Sequence, residues 1–458
     1  MKRIIVCVRQ GLDGEISPFD AAAYEAALRF QDAEVTLLSM AAMSAKDFLL
    51  NLTRLGAKKA VLLSDKAFAG ADTLATAYTL SLAIKRLSPD IVICGRQTLI
   101  GDTGQTGAML SAFLDLPLVT NAMGIEEISE NELSVETRSE GKMTVSTPAL
   151  ICVEKIHALR LPRLRSRLGE IEVLSAEDIG ADITRCGLAG SPTRVLQSFE
   201  NQSGKRKCRF ITRNEIREVV TKALAKALDG HAPSVKSEER LGGVCIVGEA
   251  PRAYAESIGD RVTLIPLLDE DRIIDAIKSL DPSVVLWGTD DRSKRLASLV
   301  AAKLRLGLCA DCTALGCENG QLMMYRPALS GSVIAKIKST TRPAMATVRT
   351  ESRADSDVIV AAGFGVRDKI SEVKDFARSL GAAFCATRKL VDSGYAEYEM
   401  QVGLTGKTVS PPVYIAVGAS GAVHHIAGMQ RSGTVIAINP DKNAPIFEYA
   451  DYGIVEEF

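Results

Sequence analysis

Aromatic residues are scarce in this chain, 5% of 458 residues with a single tryptophan. Beside an apolar content of 47%, that scarcity excludes a disordered or an all-β chain and fits an α/β protein rich in alanine, valine and leucine. An excess of either charge is missing too, since 55 lysines and arginines meet 56 acids. Net charge therefore gives no reason to expect a nucleic acid or another polyanion as partner. No apolar run reaches the ~18 residues that a membrane-spanning helix needs, so no membrane span is expected. Met1-Lys2-Arg3 leads straight into the apolar residues 4–8, which are too few for a signal core and read as a first strand. The ten cysteines are scattered, mostly inside apolar runs, which suits a reducing compartment and a cytoplasmic protein. Cys309-x2-Cys312-x4-Cys317 lacks a fourth ligand at a motif spacing. Leu306, Leu308, Ala310, Ala314 and Leu315 around it read as core, so no metal site is expected.

What is present is alternation. Apolar runs at 4–8, 34–39, 59–63 and 91–94 alternate with helix patterns at 21–30, 46–55 and 72–87, the signature of a parallel sheet with helices on its faces. Asp72 opens the last of these helices as an N-cap. At this length one core is too large, and roughly two to four domains are expected. After residues 91–94 comes Gly95-Arg96-Gln97-Thr98-Leu99-Ile100-Gly101-Asp102-Thr103-Gly104-Gln105-Thr106-Gly107, a hydroxyl-rich loop running into a helix. It is either a phosphate cradle or a capped surface loop.

The pattern then repeats. Leu87-Ser88-Pro89-Asp90-Ile91-Val92-Ile93-Cys94-Gly95 parallels Leu280-Asp281-Pro282-Ser283-Val284-Val285-Leu286-Trp287-Gly288, and Thr147-Pro148-Ala149-Leu150 parallels Arg342-Pro343-Ala344-Met345. In the second copy the loop is shorter by three residues, with Asp290, Asp291, Arg292 and Lys294 in place of the Gly/Thr run. Two acids at that helix start repel phosphate, so an empty nucleotide site is expected there. Between the copies, Arg160, Arg163, Arg165 and Arg167 alternate with Leu159, Leu161, Leu164 and Leu168 around Pro162. This is either a solvated arm packed by its leucines or a docking surface. A basic, solvated link is expected at 203–209, followed by an amphipathic helix with Ile216, Val219, Val220, Ala223, Leu224 and Leu228 on one face.

Near the carboxyl end, buried-strand runs stand at 358–362, 413–417 and 434–438. The second stops at Gly418-Ala419-Ser420-Gly421-Ala422, where a helix pattern begins at Val423; the third is closed by Asn439 and Asp441. A Gly-rich strand-to-helix turn gathers free backbone N–H groups and suits a phosphate, although such turns also serve close packing alone.

Gln401-Val402-Gly403-Leu404-Thr405-Gly406-Lys407, Gly418-x-Ser420-Gly421-Ala422-x-x-His425-x-Ala427-Gly428-Met429, Ala437-Ile438-Asn439-x-Asp441 and Ala444-Pro445-Ile446-Phe447-x-x-Ala450-Asp451-Tyr452-Gly453 occur in that order. Together they resemble the FAD domain of the electron-transferring flavoprotein alpha subunit. Cys7-Val8-Arg9-Gln10, Pro18-Phe19-Asp20, Ala67-Phe68-Ala69-Gly70-Ala71-Asp72-Thr73-Leu74-Ala75-Thr76 and the 95–107 loop resemble the beta subunit of that family. The resemblance covers nearly the whole chain, beta-like first and alpha-like second on one polypeptide. It implies an α/β fold with two related parallel-sheet, adenine-nucleotide-hydrolase-like (HUP-type) domains at 1–186 and 242–350. A linker and connecting helix would span 187–241, and a doubly wound FAD-binding domain 351–458.

The function so implied is an FAD-based electron carrier between a flavin dehydrogenase of acyl-CoA type and a downstream acceptor. Two alternatives are an electron-bifurcating protein that oxidises NADH with a second FAD, and a non-redox adenine-nucleotide-binding protein. For FAD the resemblance implies Phe364, Thr387, Arg388, Gln401, Val402, Gly403, Leu404, Thr405, Ser420, Gly421, Ala422, Val423, His424, His425, Asn439, Asp441, Glu457 and Phe458. Arg388 and His425 would tune the flavin by placing positive charge or a hydrogen-bond donor where negative charge is added. For AMP, or a second FAD, it implies Cys7, Ser17, Pro18, Phe19, Asp20, Met40, Gly95, Arg96, Gln97, Gly101, Asp102, Thr103, Gly104, Gln105 and Thr106. The arm with Leu161, Leu164 and Arg165 would dock on the partner. Three departures stand out: Ile100 where the family commonly has an acid, His424 where it has Gln, and Phe364 where it has a phosphate-reaching Arg that Arg367 or Lys369 would have to replace.

Overall fold

In the computed structural model, residues 1–11, 14–98, 101, 103–154, 157–200, 205–226, 239–328, 333–349, 356–403, 406–407 and 409–458 are described. Asp102, Leu404, Thr405 and Ile100 lie outside them, as do Ser203, Gly204 and Leu228. The chain forms two compact units. The first comprises Met1–Ser198, Pro233–Leu329 and Ala335–Arg349; the second comprises Phe199–Ala232, Ser330–Ile334 and Thr350–Phe458.

The first unit carries two related sheets. The larger runs in the order Gly141–Ser146, Glu132–Thr137, Leu118–Ser129, Ala149–Val153, Ile91–Gly95, Lys2–Cys7, Ala33–Met40, Lys59–Leu63, Glu170–Leu174. Its strand order reverses beside Lys2–Cys7 and Ile91–Gly95, which pair in parallel. The smaller sheet repeats that logic in the order Gly259–Ile265, Leu241–Val247, Val284–Trp287, Ala344–Val348, Leu308–Cys312, all parallel. The antiparallel ribbon of Leu118–Ser129, Glu132–Thr137 and Gly141–Ser146 is an addition that alternation of strands and helices does not predict. Both repeats contribute to one continuous core, which includes Leu80 and Met109 of the first and Trp287 and Val300 of the second. Asp72 caps its helix as expected, its carboxylate accepting the Ala75 N–H at 3.0 Å.

The second unit is a doubly wound parallel sheet in the order Arg209–Phe210, Tyr452–Ile454, Thr434–Ile438, Val413–Val417, Val358–Ala362, Ala383–Thr387, Gln401–Val402. Successive residues of the central strands face opposite cores. Val358, Val360 and Ile415 join one, while Ile359, Ala361 and Tyr414 join the other. Covering both faces is why these strands read as unbroken apolar runs. The link before the amphipathic helix is not solvated throughout. Arg206 is half-buried against Asp451, with which it pairs, and donates to the Gly433 carbonyl at 2.9 Å. Strand Arg209–Phe210 then adds to the sheet edge, so this stretch is tied down by an internal ion pair and main-chain pairing.

Candidate functional site

In a doubly wound sheet, ligands sit outside the carboxyl ends of the strands where the strand order reverses. In the second unit that point lies between Val358–Ala362 and Val413–Val417. Each strand ends in glycine, and a Cβ on Gly363 would overlap the Gly418 carbonyl oxygen, while Gly418 itself has φ +63°. Only glycine lets the two turns nest backbone to backbone in that conformation. The turn is further pinned by Asn439, whose side-chain amide donates to the Ala419 carbonyl at 2.9 Å and accepts the Asp441 N–H at 2.9 Å.

The residues expected to hold FAD gather at this edge. Phe364 begins the turn after Gly363, Thr387 ends strand Ala383–Thr387, and Arg388 follows it. Ser420, Gly421 and Ala422 precede helix Val423–Met429, and buried Gln401, Val402 and Gly403 close the far edge. Phe458 packs edge-on to Phe376 at 5.4 Å, whereas Glu457 is exposed. Arg367 and Lys389 stand over the Phe364 ring at 4.9 and 4.2 Å. Lys369 instead donates to the Phe458 carbonyl at 2.5 Å. Nested glycine turns flanked by Arg367, Lys389 and Arg388 form a donor set that fits a pyrophosphate-bearing cofactor.

Arg388 is ion-paired along its own helix with Asp392 at 3.3 Å. His424 is half-buried and titrates below its usual range, first because of burial and then because of the Arg388 charge. His425 is 5% exposed, and burial pushes its pKa down to about 4, so the ring is neutral at pH 7. Its Nδ1 lies 3.2 Å from the Val402 carbonyl, and its Nε2 3.2 Å from the Tyr414 hydroxyl. A carbonyl can only accept, which places the ring hydrogen on Nδ1 and leaves Nε2 to accept from Tyr414. Sequence reasoning missed Tyr414 because it sits within an apolar run; its hydroxyl, at an otherwise buried position, was the available signal.

In the first unit the switch point lies at Cys7 and Gly95, with Met40 at the end of the next strand. Ser17, Phe19, Asp20 and Gln105 are buried there, beside the partly buried Cys7, Pro18, Met40, Gly95, Arg96, Gln97, Gly101, Thr103 and Thr106; Gly104 is exposed. Asp20 accepts the Arg9 N–H at 2.9 Å, and burial pushes its pKa up to about 8. Arg96 stacks 5.2 Å from the Phe19 ring and pairs with buried Glu154 at 3.2 Å. Ser17 Oγ, Arg96 Nη2, Gln97 Nε2 and Gln105 Oε1 are buried without a hydrogen-bond partner. Four orphaned polar atoms in one crevice fit a polar ligand such as a nucleotide, because each costs roughly 1–3 kcal/mol if left unmet. Arg326 of the second repeat donates to the Gly101 carbonyl at 3.2 Å.

At the matching helix start of the second repeat, side chains of both repeats make contacts. Asp290 caps the helix by accepting the Ser293 N–H at 2.9 Å, and both carboxylate oxygens of Asp291 accept from Arg138 Nη2 of the first repeat, at 2.8 and 2.9 Å. Among the described residues no group of three or more His, Cys, Asp or Glu is arranged to hold a metal ion. Nor is any helix there long and apolar enough to cross a membrane. In the arm, Arg160 grips buried Glu25 at 2.9 Å, holding that carboxyl down to about 2. Beyond this anchor Leu161 and Leu164 are 86% and 101% exposed, so they are not packed as a leucine-lined arm would have them. Arg165 is exposed beside them.

Comparison with known proteins agrees with this architecture. Residues 4–179 and 270–362 match the electron transfer flavoprotein domain, and residues 353–430 match the electron transfer flavoprotein FAD-binding domain. The chain is 38% identical over 229 residues to an electron transfer flavoprotein subunit alpha of Thermoanaerobacterium thermosaccharolyticum, covering 40% of this chain and 69% of that protein. It is 38% identical over 201 residues to the subunit beta of the same organism, covering 41% of this chain and 77% of that one. A third relative, the Acetobacterium woodii protein named lactate dehydrogenase (NAD(+),ferredoxin) subunit LctC, is 34% identical over 226 residues, covering 40% of this chain and 54% of it. This chain therefore belongs to the electron transfer flavoprotein family.

Proposed function

We propose that the chain joins a beta-like half to an alpha-like half and works as an FAD-based electron carrier. Electrons would come from a flavin dehydrogenase of acyl-CoA type and leave to a downstream redox acceptor. The observation that carries this reading is the glycine-nested switch point of the second unit, with its flanking cations. The flavin supplies the redox chemistry when bound. Around it the turn at Gly418–Ala422 would hold the pyrophosphate, Arg367 and Lys389 would supply the charge that Phe364 does not, and Arg388 would bias the ring toward accepting negative charge. His425, neutral and fixed by Val402 and Tyr414, would orient neighbouring groups without adding charge. Leu161, Leu164 and Arg165 would meet the partner, held in place by the Arg160–Glu25 pair. Tethering the halves raises their effective concentration to the millimolar range, so their assembly needs no second chain. The test is reduction of the purified yellow protein by an acyl-CoA dehydrogenase with its substrate. Absence of flavin bleaching under anaerobic conditions would reject the carrier role.

A second reading is favoured by the orphaned polar atoms of the first unit. That crevice would hold AMP in a simple carrier, or a second FAD in a bifurcating protein that oxidises NADH. The likeness to LctC, whose name carries both NAD(+) and ferredoxin, points the same way. Two flavins per chain together with bleaching by NADH would select it.

A further inference from the structure

The first unit also contains a cavity of about 270 Å³ that shares no lining residue with the crevice at Cys7 and Gly95. Its lining includes Tyr78 and Phe113 of the first repeat, Arg185 and Arg194 of the connecting segment, and Arg305 of the second repeat. Three arginines thus line one space, Arg185 and Arg194 from half-buried positions and Arg305 from an exposed one at its rim. Among the described residues none of the three lies within ion-pair distance of a carboxylate, although ion pairs are frequent elsewhere in the chain. Asp182 feels Arg185 and Arg305, but its carboxylate is turned onto Thr184, accepting that residue's N–H at 3.0 Å and its hydroxyl at 2.7 Å. One acid against three arginines leaves the space positive in a chain whose formal net charge is −1.

Two further features point to a ligand. Arg194 Nη1 is buried with no hydrogen-bond partner, an arrangement that disfavours the fold unless something else accepts from it. The Arg185 guanidinium carbon stands 3.9 Å over the Tyr78 ring, a cation–π contact that restrains where its donor fork can go. Tyr78 in turn packs edge-on to Phe113 at 6.1 Å. Arg305 occupies the left-handed helix end at φ +55°, where Asp115 stands in the first repeat. The backbone there suits glycine, so its guanidinium is carried by a position that does not call for a long side chain.

We propose that this cavity binds a compact organic phosphate, gripped by Arg185, Arg194 and Arg305 with its carbon skeleton against Tyr78 and Phe113. Arginine forks match phosphate oxygens bidentately, and the aromatic wall suits an apolar or planar group. At about 270 Å³ the space lies just under the ~300 Å³ where drug-sized sites begin. A monophosphate or diphosphate ester fits that size, and a dinucleotide does not.

The test is isothermal titration of the full chain, flavin bound and AMP saturating, with inorganic pyrophosphate at fixed ionic strength. One saturable site is expected. Arg194→Met and Arg305→Gly should each weaken it by roughly ten- to hundredfold, the loss of a charge-assisted hydrogen bond. Arg305→Gly also guards against misfolding, because glycine relieves the left-handed backbone and should leave the melting temperature unchanged or higher. No saturable heat in the parent protein, or unchanged affinity in either variant, overturns the proposal.

Discussion

His425 offers the sharpest test of the electrostatics. Its pKa falls from 6.5 to about 4 on folding because the ring is buried. A group whose folded pKa is depressed binds its proton more readily in the unfolded chain. Its contribution to stability is therefore complete above pH 6.5 and is lost as pH falls toward 4. Two and a half pKa units correspond to about 3 kcal/mol in full, of which about 2.5 kcal/mol should be gone by pH 4.5. Carboxylates also titrate in that range, so the quantity to read is the difference between the parent and His425→Gln. Urea unfolding of the second unit, followed by circular dichroism because the lone tryptophan Trp287 lies in the first unit, should show the gap between the two proteins closing on acidification. Nuclear magnetic resonance should find His425 protonated on Nδ1 alone and untitrated above about pH 5. A midpoint near 6.5, or a gap independent of pH, would refute a buried neutral imidazole.

Three other outcomes are expected. Arg388→Ala should lower the flavin potential by roughly 60–120 mV, taking ~1.5–3 kcal/mol for a charged contact and 59 mV per tenfold for one electron; Asp392→Asn should shift it the opposite way in the same reductive titration. Replacing Leu161 and Leu164 with Ala should slow reduction by the partner dehydrogenase while the flavin spectrum stays unchanged, and unchanged transfer rates would remove the docking role. Asp20 holds its proton up to about pH 8 in the folded chain, so its contribution falls as pH rises from about 4 to 8; Asp20→Asn should be less sensitive to alkali in thermal melts.

Much of the scaffold was legible because buried parallel strands announce themselves as short apolar runs. Residues 413–417, 434–438 and 59–63 fall on strands Val413–Val417, Thr434–Ile438 and Lys59–Leu63 without adjustment. The antiparallel ribbon at 118–146 was not, because its strands are half-exposed and alternate with polar residues rather than with helices. The family resemblance gave the candidate residues but not their partners. Arg388 meets Asp392 through helix periodicity, a spacing readable in principle. The Tyr414–His425 contact and the convergence of Arg367 and Lys389 on Phe364 depend on how separate strand ends come together. Likewise Arg185, Arg194 and Arg305 line one cavity only because the two repeats share a core.

The most direct measurement is the flavin released per chain from the purified protein, taken for the parent and for Gly418→Val. The parent should release at least one FAD per polypeptide. The variant, with a branched side chain forced into the left-handed turn where a Cβ on residue 418 would meet Val366 Cγ1 at 2.9 Å, should lose one equivalent. A colourless parent, or a variant that keeps all of its flavin, would contradict an FAD site at the carboxyl edge of the second sheet.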